Sequence, residues 1–263
     1  MQTTDILQTI VSHKRQEVRR QMEAIPLAAL QYRIGDPSPR RSLKQSLAES
    51  STGIIAEFKR RSPSKGWIKE DAEATRIPAD YERAGAAALS ILTDGEFFGG
   101  RLADILNARP TTGLPILRKD FVVHPYQLYQ AKLADADAVL LIAAVLSPQE
   151  CKDLARLAHG LGLETLLEIH HEAELDHLND DIDLLGVNNR CLGTFHTDVS
   201  CSFRLAELLP KDRLLVSESG ISQPDTVHRL REAGFRGFLI GENFMKEPEP
   251  GQALSRFIQS LQP

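Results

Sequence analysis

The chain has 263 residues, 42% of them hydrophobic and 25% charged, with a formal net charge of −5 at neutral pH. That composition supports a large core in one domain, and basic residues scattered along a mildly acidic chain give no electrostatic footprint for nucleic acid. The longest apolar run, Ala138 to Leu146, falls far short of the roughly 18–20 residues of a membrane span, and Met1-Gln2-Thr3-Thr4-Asp5 lacks the basic-then-apolar order of a secretory signal, so a cytoplasmic location without membrane partners is expected.

Ile6, Ile10, Val18 and Met22, with Leu7 and Val11 beside them, recur at helical spacing. Lys14, Arg15, Arg19 and Arg20 fill the other positions, which predicts an amphipathic helix laid on the main domain. A second short helix is expected after Pro26, and Ser42 can cap a third through Leu43 and Leu47. From Gly53 onward come eight apolar strand candidates: Ile54–Phe58, Ala88–Leu92, Leu114–Leu117, Ala138–Ala143, Thr165–Ile169, Leu184–Val187, Leu214–Val216 and Gly237–Ile240. Between them Ile77–Ala84, Pro125–Leu133, Pro148–Leu161 and Pro224–Ala233 carry helical patterning. Repeated β then α reads as a parallel sheet with right-handed crossovers, and eight units close into a (β/α)8 TIM barrel. Residues 1–263 are read as a single domain of which 1–50 form an N-terminal helical extension. An open doubly wound sheet alternates in the same way. It is disfavoured because no GxGxxG follows the first strand and because polar residues recur at the carboxyl ends of many strands.

Those strand ends hold the chemistry. A parallel strand buried on both faces should be apolar throughout, yet the first runs Ile54-Ile55-Ala56-Glu57-Phe58-Lys59, placing Glu57 and Lys59 on one side. A buried structural ion pair is the alternative reading, but desolvation makes such a pair a poor source of stability. The turn-rich Ser62-Pro63-Ser64-Lys65-Gly66 that follows suits a loop closing over a substrate, and Lys59-Arg60-Arg61 with Lys65 suits a small anionic one. Lys119 ends the third strand in Leu117-Arg118-Lys119-Asp120-Phe121, and Glu168 interrupts an otherwise apolar fifth strand. An ammonium among carboxylates stays charged and can donate a proton, while a carboxylate tuned by lysines and burial can act as base. The sixth strand ends in Asn188-Asn189-Arg190, where amide and guanidinium can hold hydroxyls or a carboxylate. Glu218-Ser219-Gly220 and Gly241-Glu242 end the seventh and eighth strands, the recurrent phosphate site of such barrels, where small residues let backbone N–H groups approach an anion. At Glu242 binding is assigned to the backbone N–H, with the side chain expected to point away. Phe98 and Phe121, with Leu117, Leu140, Ile142 and Leu192, can wall a slot for an aromatic ring.

Cys151, Cys191 and Cys201 have no metal-ligand spacing and an odd count for a disulfide framework, so all three are read as thiols. His170-His171 are adjacent and lack the i, i+4 spacing of paired ligands, and no metal or cofactor is expected.

The first strand followed by Ser62-Pro63-Ser64, the Arg118-Lys119-Asp120-Phe121 run, Glu168 and Gly186-Val187-Asn188-Asn189-Arg190 together resemble indole-3-glycerol phosphate synthase, as does the N-terminal helix. The resemblance covers nearly the whole chain. It implies that 1-(2-carboxyphenylamino)-1-deoxyribulose 5-phosphate loses carbon dioxide and water while closing to indole-3-glycerol phosphate, a step of tryptophan synthesis. It further implies Lys119 as the acid, Lys59 as second acid and carboxylate partner, Glu57 and Glu168 as bases, and Asn188 and Ser219 within the catalytic set. Ser62, Phe98, Phe121, Arg190, Glu218, Gly220, Gly241 and Glu242 are then substrate-binding, and a monomer with a phosphorylated small-molecule substrate is expected. Two departures stand out: Cys191 occupies a position that commonly holds Asp, and Asp135 a helix end often held by Gly. The rivals are a phosphoribosylanthranilate isomerase, which usually has cysteine at the first strand end, and a barrel that binds phosphate ligands without turnover.

Overall fold

Along a strand, side chains point alternately to opposite faces, so a strand inside a barrel sends every second residue to the axis and the rest to the surrounding helices. The computed structural model, which describes residues 6–35, 41–191, 193 and 196–261, has this alternation along its strands, interrupted in the last one where the register shifts between Phe235 and Gly237. Strands β1 (Ile54–Phe58), β2 (Ala88–Leu92), β3 (Ile116–Lys119), β4 (Ala138–Ile142), β5 (Glu164–Ile169), β6 (Leu184–Asn188), β7 (Leu214–Glu218) and β8 (Phe235–Ile240) pair in order and in parallel, and β8 closes on β1. Ile55, Leu117, Leu140, Leu166, Leu184, Val216 and Leu239 fill the axis, while Ile54, Ile116, Leu141, Leu167 and Leu185 face outward. The closed (β/α)8 order settles the choice against an open doubly wound sheet.

Three helices precede the barrel: α1 (Ile6–Ala24), α2 (Leu27–Arg33) and α3 (Leu43–Glu49), the last capped by Ser42 through the Gln45 N–H. Around the barrel follow α4 (Ile77–Arg83), α5 (Leu102–Ala108), α6 (Pro125–Leu133), α7 (Pro148–Leu161), α8 (Ser200–Ala206), α9 (Pro224–Glu232), α10 (Glu242–Met245) and α11 (Pro250–Gln259). The β5–β6 connection holds a 3₁₀ turn, Glu172–His177. The ends of α7 show how locally the sequence acts: Ser147 and Glu150 form a reciprocal cap, Pro148 takes the first position, and Gly162 ends the helix at φ 80°.

The third strand starts two residues later than its apolar run suggests and continues through Arg118 and Lys119. Pro115 can offer only its carbonyl, which accepts from the Leu89 N–H, and the charged residues find partners on both faces of the barrel wall. Asp135 sits at φ 61°, the left-handed conformation for which the position favours glycine.

The extension grips both ends of the barrel. Leu43 and Leu47 of α3 pack with Ile55 and Val216, Ser46 Oγ donates to the Ala87 carbonyl, and Glu164 accepts from the Lys44 N–H, all at the amino ends of strands. Helix α1 lies at the opposite rim, with Ile10 in the same cluster as Phe121. Lys14, read from sequence as one of the polar positions, is 1% exposed; its ammonium lies 2.8 Å from Glu17, 2.9 Å from Asp94 and 3.1 Å from Asp120. The expectation of a solvated lysine fails because the loops after β2 and β3 bring two carboxylates beneath the helix. Among the described residues no helix is long and apolar enough to cross a membrane.

Candidate active site

Alternation along β1 turns Ile55, Glu57 and Lys59 toward the axis, and the same rule turns Lys119, Glu168, Asn188 and Glu218 inward at the carboxyl ends of β3, β5, β6 and β7. There they line a cavity of about 450 Å³. Lys59 Nζ lies 2.5 Å from Glu57 Oε1, and Lys119 Nζ lies 3.2 Å from Glu168 Oε2 and 3.5 Å from Glu218 Oε2. Space for the carboxylates is made by two glycines. A Cβ on Gly186 would meet Glu218 Oε1 at 2.5 Å, and one on Gly241 would meet Glu57 Oε1 at 2.3 Å.

The charge states divide these acids. Burial favours the neutral form of Glu57, but Lys59, Lys119 and Arg190 outweigh it and hold the carboxyl below its ordinary range. Burial likewise opposes ionisation of Glu168, and Lys119 and His170 hold it low. Glu218 goes the other way: burial, then the neighbouring Glu168 and Glu57, push it up to about 8 in spite of Lys119. Lys119 is itself held charged; burial works against the ammonium, and Glu168, Glu218 and Glu57 overcome it. At neutral pH the floor of the pocket is thus an ammonium, a carboxylate and a neutral carboxylic acid in contact.

One wall is apolar. The Phe98 and Phe121 rings lie 6.0 Å apart at 37°, beside Leu140, Ile142 and Leu92. The other side is the loop cluster after β7 and β8, where Ser219 (φ 67°) and Gly220 (φ 77°) adopt successive left-handed conformations. Such a conformation costs a non-glycine residue roughly 1–3 kcal/mol and persists only where surroundings impose it. Here Asn189 Nδ2 donates to the Ser219 carbonyl and to Ser217 Oγ, and a Cβ on Gly220 would strike Thr197. Asn189 is therefore a brace between loops, whereas Asn188 faces the cavity and accepts from the Arg190 N–H.

Several expected residues are elsewhere. Ser62 is fully buried in the small hairpin Arg61–Ser62/Gly66–Trp67 and is not on the cavity wall, which that loop supplies through Ser64 and Lys65. Arg60 is drawn out by a two-pronged bond to Asp104, and Arg61 stacks on Trp67 and donates to the Glu96 carbonyl, so neither serves an anion in the pocket. Glu242 does not point away: its carboxylate reaches Arg190 at 3.5 Å and Lys65 at 3.7 Å across the mouth, attracted by two cations. Leu117 lies below the cavity in the axial core, and Leu192 falls outside the described residues. Sequence reading missed Asn243 and Lys246 on the wall, although α10 directly after Gly241 places them one turn apart. Among the described residues no group of three or more His, Cys, Asp or Glu is arranged to hold a metal ion.

Comparison with known proteins gives a consistent picture. The family profile described as indole-3-glycerol phosphate synthase matches residues 7–257. The chain is 59% identical over 258 residues to the indole-3-glycerol phosphate synthase of Bacteroides thetaiotaomicron, covering 98% of this chain and 99% of that one. It is 43% identical over 256 residues to the same enzyme of Acinetobacter baylyi, covering 96% and 95%. Among solved structures, tryptophan synthase subunit alpha from Legionella pneumophila superposes with a TM-score of 0.63 at 14% identity, covering 85% of this chain and 97% of that one, a likeness of fold.

Proposed function

The chain belongs to the indole-3-glycerol phosphate synthase family, and we propose that Lys119, Lys59 and Glu168 carry the reaction it performs. This is the closure of 1-(2-carboxyphenylamino)-1-deoxyribulose 5-phosphate to indole-3-glycerol phosphate with loss of carbon dioxide and water, in tryptophan biosynthesis. The contact of Lys119 with Glu168 and Glu218, between an aromatic slot and a cationic mouth, carries the assignment.

The anthranilate ring sits against Phe98 and Phe121, and the phosphate sits among the backbone N–H groups of Ser219, Gly220, Gly241 and Glu242, with Lys65, Arg190 and Lys246 nearby. Glu242 then exchanges one cation partner for solvent as the phosphate arrives. Attack of the ring carbon on the ketone makes an alkoxide, which Lys119 protonates. Loss of carbon dioxide leaves its electron pair in the ring. Lys59, until then paired with the substrate carboxylate and Glu57, gives the proton with which the hydroxyl leaves as water, and Glu168 removes the proton from the neighbouring carbon. Asn188 and the neutral Glu218 orient the ribulose hydroxyls. The protein acts as a cytoplasmic monomer without a cofactor.

The purified protein given this substrate should produce indole absorbance and fluorescence; binding without product would point instead to a non-catalytic phosphate-binding barrel. A pH dependence follows from Glu218. Its neutral form leaves Lys119 with Glu168 in contact and Glu57 nearby; ionisation above about pH 8 adds a further anion beside it and makes it a weaker acid. Turnover should fall as pH rises through about 8, and Glu218→Gln, which cannot ionise, should flatten that limb. An identical limb in the variant would assign it to another group.

A further inference from the structure

The base assigned above has its two carboxylate oxygens in different surroundings. Glu168 Oε2 lies 3.2 Å from Lys119 Nζ, whereas Oε1 is buried and makes no hydrogen bond among the described residues. Lys119 also leaves Glu168 without a cation partway through the reaction. Once the ammonium has protonated the alkoxide it is a neutral amine, and Glu168 has to stay ionised until it takes the proton from carbon. That proton then passes from Glu168 to Lys119, which restores both groups. A second cation is needed in the interval, because burial favours the neutral acid.

His170 stands where that cation is required. It is the first residue after β5, at the mouth end of the strand, on the same side of the chain as Glu168 and outside the cavity lining. Its side chain is 7% exposed, with Nε2 3.6 Å from Glu168 Oε1 and Nδ1 3.7 Å from Glu174 Oε2. Glu174 is fixed by the 3₁₀ turn after β5, where it accepts from the His170 and His171 N–H groups. A carboxylate can only accept, so each ring nitrogen has to bring a hydrogen, and the ring that serves both neighbours is the imidazolium. Burial works against that charge; Glu174, Glu168 and, from β7, Glu218 overcome it and hold the ring above its ordinary range. Of the other titratable neighbours, the His171 ring lies 6.4 Å away and Cys201 Sγ of α8 donates to the His170 carbonyl.

Resting on that assignment of Glu168, we propose that His170 is a positioning residue: clamped by Glu174, it holds Oε1 of Glu168 and leaves Oε2 to Lys119. It touches no reacting atom and transfers no proton. Its charge persists through the turnover while that of Lys119 comes and goes. The carboxylate therefore keeps its orientation and its ionisation at the moment when the carbon-bound proton is removed.

Two readouts test this. The first is the titration of the Glu168 side-chain carboxyl in the ligand-free protein, followed by carbon NMR and assigned through Glu168→Gln. In His170→Gln and His170→Leu it should move to higher pH by about one unit, since a nearby opposite charge displaces a carboxyl by about 1–3 units. The second is the single-turnover rate against pH, whose acid limb, where the base becomes protonated, should move the same way. His170→Gln, which keeps a donor for Oε1, should retain most of the plateau rate. His170→Leu should lose roughly ten- to a hundredfold, the scale of a misplaced reacting group, with KM near wild type. Glu174→Gln should move both readouts upward by less, and add nothing when combined with His170→Gln. A histidine that only packs lowers the plateau without moving the titration, so an unmoved Glu168 titration in His170→Gln with native circular dichroism overturns the proposal. Should the His170 variants not fold, the same decision falls to Glu174→Gln. A titration that moves while the acid limb stays in place would instead remove Glu168 as the base, so failure of the reaction assignment reads differently.

Discussion

Lys119→Ala should lower ring closure by about a thousandfold or more while leaving the substrate bound, a loss within the range typical of a missing proton-transfer group. Two effects combine in that one change. The acid that meets the alkoxide is gone, and Glu168, which Lys119 holds below its ordinary range, is released toward its neutral form and is lost as a base. Because the single change already disables Glu168, Lys119→Ala with Glu168→Gln should be little worse than Lys119→Ala alone. Binding survives because the aromatic slot and the phosphate loops do not depend on the ammonium. Single-turnover absorbance of the indole product, with substrate affinity measured separately, checks both halves; a variant turning over normally would remove Lys119 from the mechanism.

A comparable effect on stability is expected far from the reacting atoms. In Lys14→Met the side chain keeps its length and apolar stem, but Asp94 and Asp120, both almost fully buried, lose their cation. Breaking a buried pair by removing one partner costs about 3–5 kcal/mol, because the remaining charge is stranded. Asp120 is not wholly abandoned, since Arg118 and Thr93 still reach it, which argues for the lower part of that range. The urea midpoint should fall with an unchanged slope. Asp94 also accepts from the Phe97 N–H and Asp120 from the Phe121 N–H, so the aromatic slot should loosen and KM should rise more than kcat falls. An unshifted midpoint would mean that water reaches the two aspartates once the lysine is gone.

The strands were legible because a barrel buried on both faces demands apolar runs, and charges inside such runs at Glu57, Lys119 and Glu168 could only be read as exceptions needing a partner. That Phe98, Phe121 and the loops after β7 and β8 line the cavity was legible for the same reason of position. What the sequence withheld depends on distant partners. Lys14 reads as solvated until Asp94 and Asp120 arrive beneath it, Arg60 reads as a pocket cation until Asp104 claims it, and Glu242 reads as turned away until Arg190 and Lys65 face it. The neutral state of Glu218 follows from burial beside Glu168, which a lone Ser-Glu-Ser-Gly run cannot express.

The clasp of the extension on both ends of the barrel also bears on the order in which the molecule assembles. Helix α1 leaves the ribosome ahead of the barrel, yet Asp120 emerges about a hundred residues later, which at about 5–20 residues per second leaves Lys14 without Asp94 and Asp120 for some seconds. Local helix formation takes about a microsecond, so α1 waits as a preformed, incompletely docked piece. Its seat on the rim needs β3, its loop and α6, whose Tyr126 hydroxyl reaches the Gln21 and Ile25 carbonyls, and all three exist well before the loops after β7 and β8 are made. The wall holding Phe98 and Phe121 can therefore mature on the nascent chain, and the wall formed by the loops after β7 and β8 is the last to be built.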